Sequence, residues 1–137
     1  MSRTHLMSSL TPDLALAYVR ELSADVRAGI VLDPVTGEVL AGDPRLAEPA
    51  RELFAGHPHA RELHGSESGA QVFAIRDGHR ALVVLTGPHA LPGPIRRDLR
   101  TALCGTAPES AQETPSARPG EALVKAVVTA AADAFRP

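Results

Sequence analysis

Apolar residues along this chain switch between helical spacing and strand spacing, and each switch predicts a boundary between elements. Thr11 to Asp13 predicts a helix start, because threonine caps a free amide, proline tolerates the first turn and aspartate favours a helix N-terminus. Apolar side chains then recur three and four residues apart. We expect one face of this helix to pack on a sheet, and that face contains Leu14, Ala15, Tyr18, Val19 and Leu22.

A first hairpin is predicted directly after this helix. Val26 to Leu32 has the apolar pattern of a buried strand, and Asp33 to Gly37 has the composition of a turn. Glu38 to Gly42 returns as a short second strand. A helix followed by a hairpin is typical of a sheet that is covered by helices.

A second hairpin has the strongest pattern in the chain. Ala70 to Arg76 and His79 to Thr86 flank Asp77-Gly78, a dipeptide that suits a tight two-residue turn. Leu82 to Leu85 are four consecutive apolar residues, whose side chains point alternately to the two faces of a sheet. We therefore expect a central strand with helices above and below it.

The segment between the hairpins predicts a short second helix and an edge strand. Pro49 would interrupt a continuous helix, so we expect a turn over Asp43 to Glu48 and a helix that begins with Pro49 and ends before Gly56. Arg61 to His64 is short and charged, as edge strands often are. Ser66 to Gly69 is typical of a loop.

The last third of the chain predicts a packing helix, a linker and a terminal helix. Pro92 to Leu103 has helical spacing, whereas Gly105 to Gly120 is rich in proline, serine and threonine and lacks periodicity. Glu121 to Phe135 is a helix with only a narrow polar stripe, so it needs a cover from its own domain, a second copy or another protein. The predicted divisions are a flexible tail (1-10), a domain (11-104), a linker (105-120) and an apolar C-terminal helix (121-137).

The composition excludes several classes of function. The chain has 137 residues, 3% of them aromatic, and a net charge of -2. Nucleic-acid binding relies on clustered basic residues and on aromatic side chains that stack on bases, so we expect no nucleic-acid partner. The single cysteine, Cys104, allows no internal disulfide and fits a reducing cytoplasm. We expect no membrane span and no signal peptide, and the Arg-rich, Lys-poor composition is typical of a high-GC bacterium.

No residue pattern predicts catalysis. His57, His59 and His64 form the one histidine cluster, but neither cysteine nor an obvious carboxylate accompanies them, so we interpret them as surface histidines rather than metal ligands. No nucleophile elbow or phosphate-binding glycine loop is present. We interpret the three arginines of the third helix as a solvated face: Arg96, Arg97 and Arg100. The sequence thus predicts a protein that is not an enzyme and has no cofactor or metal.

Two stretches of the chain resemble the Roadblock/LC7 family. Val26 to Asp33 with Gly37 to Ala41 is similar to that family's first hairpin. Ala81 to Thr86, running into Leu91 to Leu99, looks like its last strand and following helix. The resemblance covers Thr11 to Leu103 and implies an α+β fold of the profilin-like kind, a five-stranded antiparallel sheet sandwiched by helices. A linker and a C-terminal helix follow it here.

The resemblance also implies partners. Roadblock/LC7 proteins form homodimers, commonly through the second helix and the adjoining edge strand, and associate with Ras-like small GTPases. Here the second helix is shorter than is usual in the family and carries Pro49. The leading hypothesis is a noncatalytic regulatory module that homodimerises and binds or modulates a Ras-like small GTPase. Its predicted interface residues are Leu46, Leu53, Phe54, Arg61, Leu63 and His64.

Two further functions are compatible with the same patterns. A small-molecule sensor of the PAS or GAF kind would enclose a ligand between sheet and helices, and its terminal helix would transmit the signal. The low aromatic content weakens that hypothesis. The third alternative is a scaffold without regulatory effect.

Overall fold

The computed structural model describes residues 11–67, 69–104, 116–117 and 121–134. The predicted N-terminal tail, most of the predicted linker and Phe135 lie outside these residues. The described elements are, in chain order, α1 (Pro12–Leu22), β1 (Val26–Leu32), β2 (Val39–Gly42), a 3-10 turn (Pro44–Leu46), α2 (Ala47–Gly56), β3 (Glu62–Glu67), β4 (Ala70–Asp77), β5 (Arg80–Thr86), α3 (Pro92–Cys104), β6 (Ser116–Ala117) and α4 (Glu121–Ala134).

One sheet holds all the described strands, in the order β2-β1-β5-β4-β3-β6. The first five strands pair antiparallel, which confirms the predicted five-stranded α+β sheet. The two-residue strand β6 adds to β3 in parallel, within the segment predicted as a linker. β3, β4 and β5 are neighbours in the sheet in the same order as in the chain. β1 pairs with β5, although the two strands are far apart in the sequence.

Strand β5 is the central strand, as its apolar run predicts. It pairs with β1 on one side and with β4 on the other, and residues 81–86 are all buried. Val83 and Leu85 point into a cluster with α2 and α4, and Leu82 and Val84 point into a cluster with α1 and α3. Helices therefore cover both faces of the sheet, because each face of β5 carries apolar side chains.

The buried face of α1 differs from the predicted one. Leu14 and Leu22 are 56% and 52% exposed, and the buried residues of this helix are Ala15, Leu16 and Val19. The prediction for Leu14 and Leu22 was wrong because Leu16 fits over a glycine of the sheet. A Cβ atom at Gly29 would lie 2.6 Å from Leu16 Cδ1, so Gly29 makes the space that orients α1.

Three local boundaries also differ from the predictions. Helix α2 begins at Ala47, two residues before Pro49, although Pro49 does lie in its first turn, where a missing amide is tolerated. Strand β3 extends through Ser66 to Glu67, so part of the predicted loop is strand. The second hairpin turns one residue later than predicted, because Asp77 pairs with Arg80. None of the helices in the described part of the chain is both long and apolar enough to cross a membrane.

We expect Gly42→Ala to lower the free energy of unfolding by more than about 2 kcal/mol, since both backbone strain and a clash oppose the new methyl group. Gly42 has φ +96°, and a Cβ atom there would lie 2.4 Å from the carbonyl oxygen of Gly29. Gly78→Ala is the matched control, because Gly78 has φ +64° and open space around it. Urea unfolding of both variants separates the clash from the strain, and equal losses would contradict the steric explanation.

Candidate interaction surface

Four of the six predicted interface residues lie together on one face of the sheet. Leu46 in the 3-10 turn, Leu53 and Phe54 in α2, and Leu63 in β3 belong to one hydrophobic cluster and are at most 3% exposed. The helical spacing of α2 and the alternation of β3 direct these side chains to the same layer. In the isolated chain this layer is closed, and the role of these residues in an interface stays a prediction.

Helix α4 closes this layer. It contacts α2, the 3-10 turn, β3 and β4. Val124 and Val127 are fully buried in the same cluster, while Lys125 and Thr129 are exposed. Burial of each valine contributes about 1.5–3 kcal/mol. Because a helix of this length is marginal in isolation, the folding of α4 depends on this docking.

The outer edge of β3 lies beside the same layer. β6 pairs with this edge at Glu62 and Leu63. On the inner side, the Arg76 N–H donates to the Arg61 carbonyl, and hydrogen-bonded pairs alternate along an antiparallel ladder. The backbone groups of Glu62, His64 and Ser66 therefore point outward, and among the described residues β6 reaches only the first of these three.

A shallow surface groove of about 500 Å³ lies between α2 and α4, which contact each other. Glu48 and Glu52 lie on its α2 wall, and Lys125, the only lysine of the sequence, lies on its α4 wall. Opposite charges therefore line the two walls of this open groove. A second apolar groove, also about 500 Å³, lies on the outer face of α1 beside Leu14 and Leu22.

Phe54 is held in place by Arg76. The guanidinium carbon of Arg76 lies 5.4 Å from the centre of the Phe54 ring, within the range of a cation–π contact. Arg76 also donates hydrogen bonds to the carbonyls of Ala60 (3.0 Å), His57 (2.8 Å) and Pro58. One side chain of β4 therefore fixes both the end of α2 and the chain that leads into β3.

Arg61 and His64, the other two predicted interface residues, lie apart from the apolar layer. Arg61 precedes β3, is half-exposed and lies 3.4 Å from the Asp77 carboxylate. His64 points to the opposite face, where its ring stacks on Phe73 at 4.3 Å between centroids. The His64 Nε2–H donates to Gln71 Oε1 at 2.9 Å, a tautomer assigned from this contact.

The histidines do not form a common site. His57 Nδ1–H donates to the Leu53 carbonyl at 3.0 Å at the end of α2, whereas His64 contacts β4 on the other face. Within residues 11–67, 69–104, 116–117 and 121–134, no three His, Cys, Asp or Glu side chains are grouped so that they could hold a metal ion.

Glu62 and two arginines tie β3 to α3. Arg96 Nη2 lies 2.9 Å from Glu62 Oε1, and Arg100 donates to both carboxylate oxygens. Burial opposes ionisation of Glu62, but hydrogen bonds from Arg100 and then Arg96 outweigh it and hold the pKa of this carboxyl below its ordinary value. The predicted solvated face was therefore wrong for Arg96 and Arg100, while Arg97 is 65% exposed.

Two buried polar residues on the α3 side of the sheet were not predicted from the sequence. Glu62 stands in a charged segment and gives no local sign of burial, although Arg96 and Arg100 are four residues apart and thus share a helix face. Gln71 is buried in β4, and its Nε2 donates to the Ala90 carbonyl at 2.9 Å and the Gly87 carbonyl at 3.3 Å. Gln71 thus holds the loop between β5 and α3.

Two solved structures share this fold. A Roadblock/LC7 domain from Streptomyces avermitilis has a TM-score of 0.59 and 17% sequence identity, over 69% of this chain and 91% of that domain. An MglB structure with a tetrameric arrangement has a TM-score of 0.53 and 16% identity, over 90% of this chain and 96% of that one. No family model and no curated protein matches the sequence. The likeness is one of fold, and at that level the prediction is confirmed: the chain has the Roadblock/LC7 fold.

Glu62→Gln should lower the free energy of unfolding by about 2–3 kcal/mol at neutral pH, because it removes the anion that two arginines share. A lowered pKa means that Glu62 stabilises the fold fully above the ordinary carboxyl pKa of 4.5. This stabilisation is lost as the pH falls through the lower pKa of the folded state. Urea unfolding at a series of pH values should show the difference from wild type shrinking below pH 4.5.

Asp77→Asn is the control for this prediction. Asp77 is half-exposed and lies 3.4 Å from the half-exposed Arg61, so its removal should change the free energy of unfolding by at most about 1 kcal/mol. A deficit of Glu62→Gln that stays constant under acid conditions would contradict the proposed effect of the arginines on the Glu62 pKa.

Proposed function

We propose that this chain is a noncatalytic regulatory module of the cytoplasm that self-associates through α2 and β3 and binds or modulates a Ras-like small GTPase. The observation that carries this proposal is the Roadblock/LC7 fold, in which β3 ends the antiparallel part of the sheet beside an apolar helix and is followed only by the two-residue strand β6 among the described residues. Self-association and the GTPase follow from what the family resemblance implies. The residues proposed for the interface are those predicted from the sequence: Leu46, Leu53, Phe54, Arg61, Leu63 and His64.

The geometry of β3 supports self-association. The outward backbone groups of an edge strand form hydrogen bonds with a further strand, and two copies can join by the same surface around a two-fold axis. β3 lies at this end of the antiparallel part of the sheet, next to the apolar layer of α2. Sheet extension would therefore bring α2 of one copy near α2 of the other.

The packing of the central strand supports an interaction module over a small-molecule sensor. A sensor of the PAS or GAF kind holds its ligand between sheet and helices. Apolar side chains occupy both faces of the central strand.

Self-association should appear as a dimer mass in light scattering of the full chain at high protein concentration, on the order of hundreds of micromolar. Sheet extension buries a limited area, so we expect a reversible dimer that dissociates on dilution. A monomer mass at all concentrations, also when α4 is prevented from docking, would contradict the proposed interface.

The GTPase partner is tested by a pull-down from native lysate with the tagged full chain. Parallel samples receive a GTP analogue or GDP, and bound proteins are identified by mass spectrometry. We expect a Ras-like GTPase whose recovery differs between the two nucleotides, because its switch segments change with the γ-phosphate. If the chain is recovered without a GTPase, the hypothesis of a scaffold without regulatory effect is favoured. Release of a small molecule from the purified protein would favour a sensor.

A further inference from the structure

We propose that the segment formed by β6 and α4 is a displaceable cap, which competes with a second copy of this chain for the β3 edge and the apolar side of α2. The cap closes this surface within one chain, and the second copy binds it once the cap has moved. The cap thus adds regulation to the self-association proposed above, on which it rests.

The cap and the second copy need the same backbone and side-chain positions. β6 already pairs with Glu62 and Leu63, so a strand from another chain cannot pair there at the same time. α4 lies over Leu53 and Leu63, two of the residues proposed for the interface. The two occupants therefore exclude each other.

The described part of β6 pairs with only part of β3. β3 has six residues, and among the described residues β6 pairs with two of them. The outward backbone groups of His64 and Ser66 lie further along the same edge. A second copy that pairs along the whole of β3 therefore forms more backbone hydrogen bonds than the described pairing with β6 does.

Two side chains in the described part of α4, residues 124–130, anchor the cap by full burial. Val124 and Val127 are its fully buried anchors, while Lys125 and Thr129 lie on its exposed side. The eleven residues of 105–115 connect it to α3. Because the cap belongs to the same chain as β3, its docking is intramolecular and excludes a second copy at low protein concentration.

The pattern of β3 identifies a second copy as the competitor. Two antiparallel β3 strands centred on His64 place Glu62 of one chain opposite Ser66 of the other, and His64 opposite His64. Every outward-facing residue then meets an outward-facing one, as hydrogen bonding between two edges requires. The same register places Arg61 opposite Glu67, so the strand ends carry complementary charges.

Val127→Asp in the full chain tests this inference. A carboxylate at a fully buried position opposes docking of α4, whereas it is hydrated when the cap is displaced. We expect dimerisation that is at least about tenfold tighter than that of wild type, measured by sedimentation velocity over a range of protein concentrations. Thr129→Asp is the matched control, because it adds the same charge on the exposed side of α4 and should leave the dimerisation constant unchanged.

Ser66→Pro, combined with Val127→Asp, tests which surface is uncovered. Proline removes the outward amide of Ser66 and leaves the β4 ladder intact. We expect the double variant to lose the tighter dimerisation of Val127→Asp. If the double variant dimerises as tightly as Val127→Asp, the cap covers some other contact and the inference is wrong.

Hydrogen exchange of α4 and β3 separates the remaining outcomes. Loss of protection in α4 of Val127→Asp without tighter dimerisation overturns the cap. Weaker dimerisation of this variant overturns it too, because α4 would then belong to the dimer interface, while self-association itself stands. If neither wild type nor the variant dimerises, the proposed self-association fails and the cap fails with it.

A milder variant keeps the test decisive if Val127→Asp does not fold. Val127→Ala removes two methyl groups and adds no charge, so far-ultraviolet circular dichroism should remain that of wild type. We expect about threefold tighter dimerisation with the same dependence on Ser66. Unchanged dimerisation despite faster exchange of α4 amides would overturn the inference.

Discussion

Burial of both faces of β5 is the constraint on which the rest of the structure depends. A strand with apolar side chains on each side is stable only where two separate layers exclude water from it. α1 and α3 form one layer, and α2 with α4 forms the other. Each layer combines one helix that precedes β5 in the chain with one that follows it, so α3 and α4 lie on opposite faces of the sheet.

The two layers are held by different kinds of interaction. On the α3 side, Glu62 and Gln71 add charged and amide hydrogen bonds, which depend on geometry and specify one arrangement. On the α4 side, valine and alanine contacts dominate, and such contacts tolerate small shifts. Helix α3 is thus fixed by directional bonds, whereas the described part of α4 is held by nondirectional contacts, and α4 is the helix that lies beside the outer edge of β3.

Much of the fold could be predicted because its signals are local. Four consecutive apolar residues in β5 indicate a central strand, and Pro49 indicates the first turn of α2, although the helix begins two residues earlier at Ala47. The buried face of α1 could not be predicted, since Leu14 and Leu16 have the same hydropathy and only the space above Gly29 on a distant strand selects between them. The candidate surface was predicted in part. The positions of its apolar residues could be predicted from their spacing in α2 and β3. The docking of α4 on this surface could not, because α4 is apolar on most sides and its sequence does not indicate which surface it contacts.

The position of β1 has a consequence for the order in which the chain folds. β3, β4 and β5 pair with their sequence neighbours, so this meander closes through short loops. Leu32 of β1 pairs with Ala81, about fifty residues later, and a contact this distant is slow to form. On the ribosome, the β1–β2 hairpin emerges long before β5 is made and keeps its apolar side chains uncovered meanwhile. The latest strand to be synthesised in the antiparallel sheet is thus the one that joins its two hairpins, and β1 has no partner on that side until synthesis has passed β5.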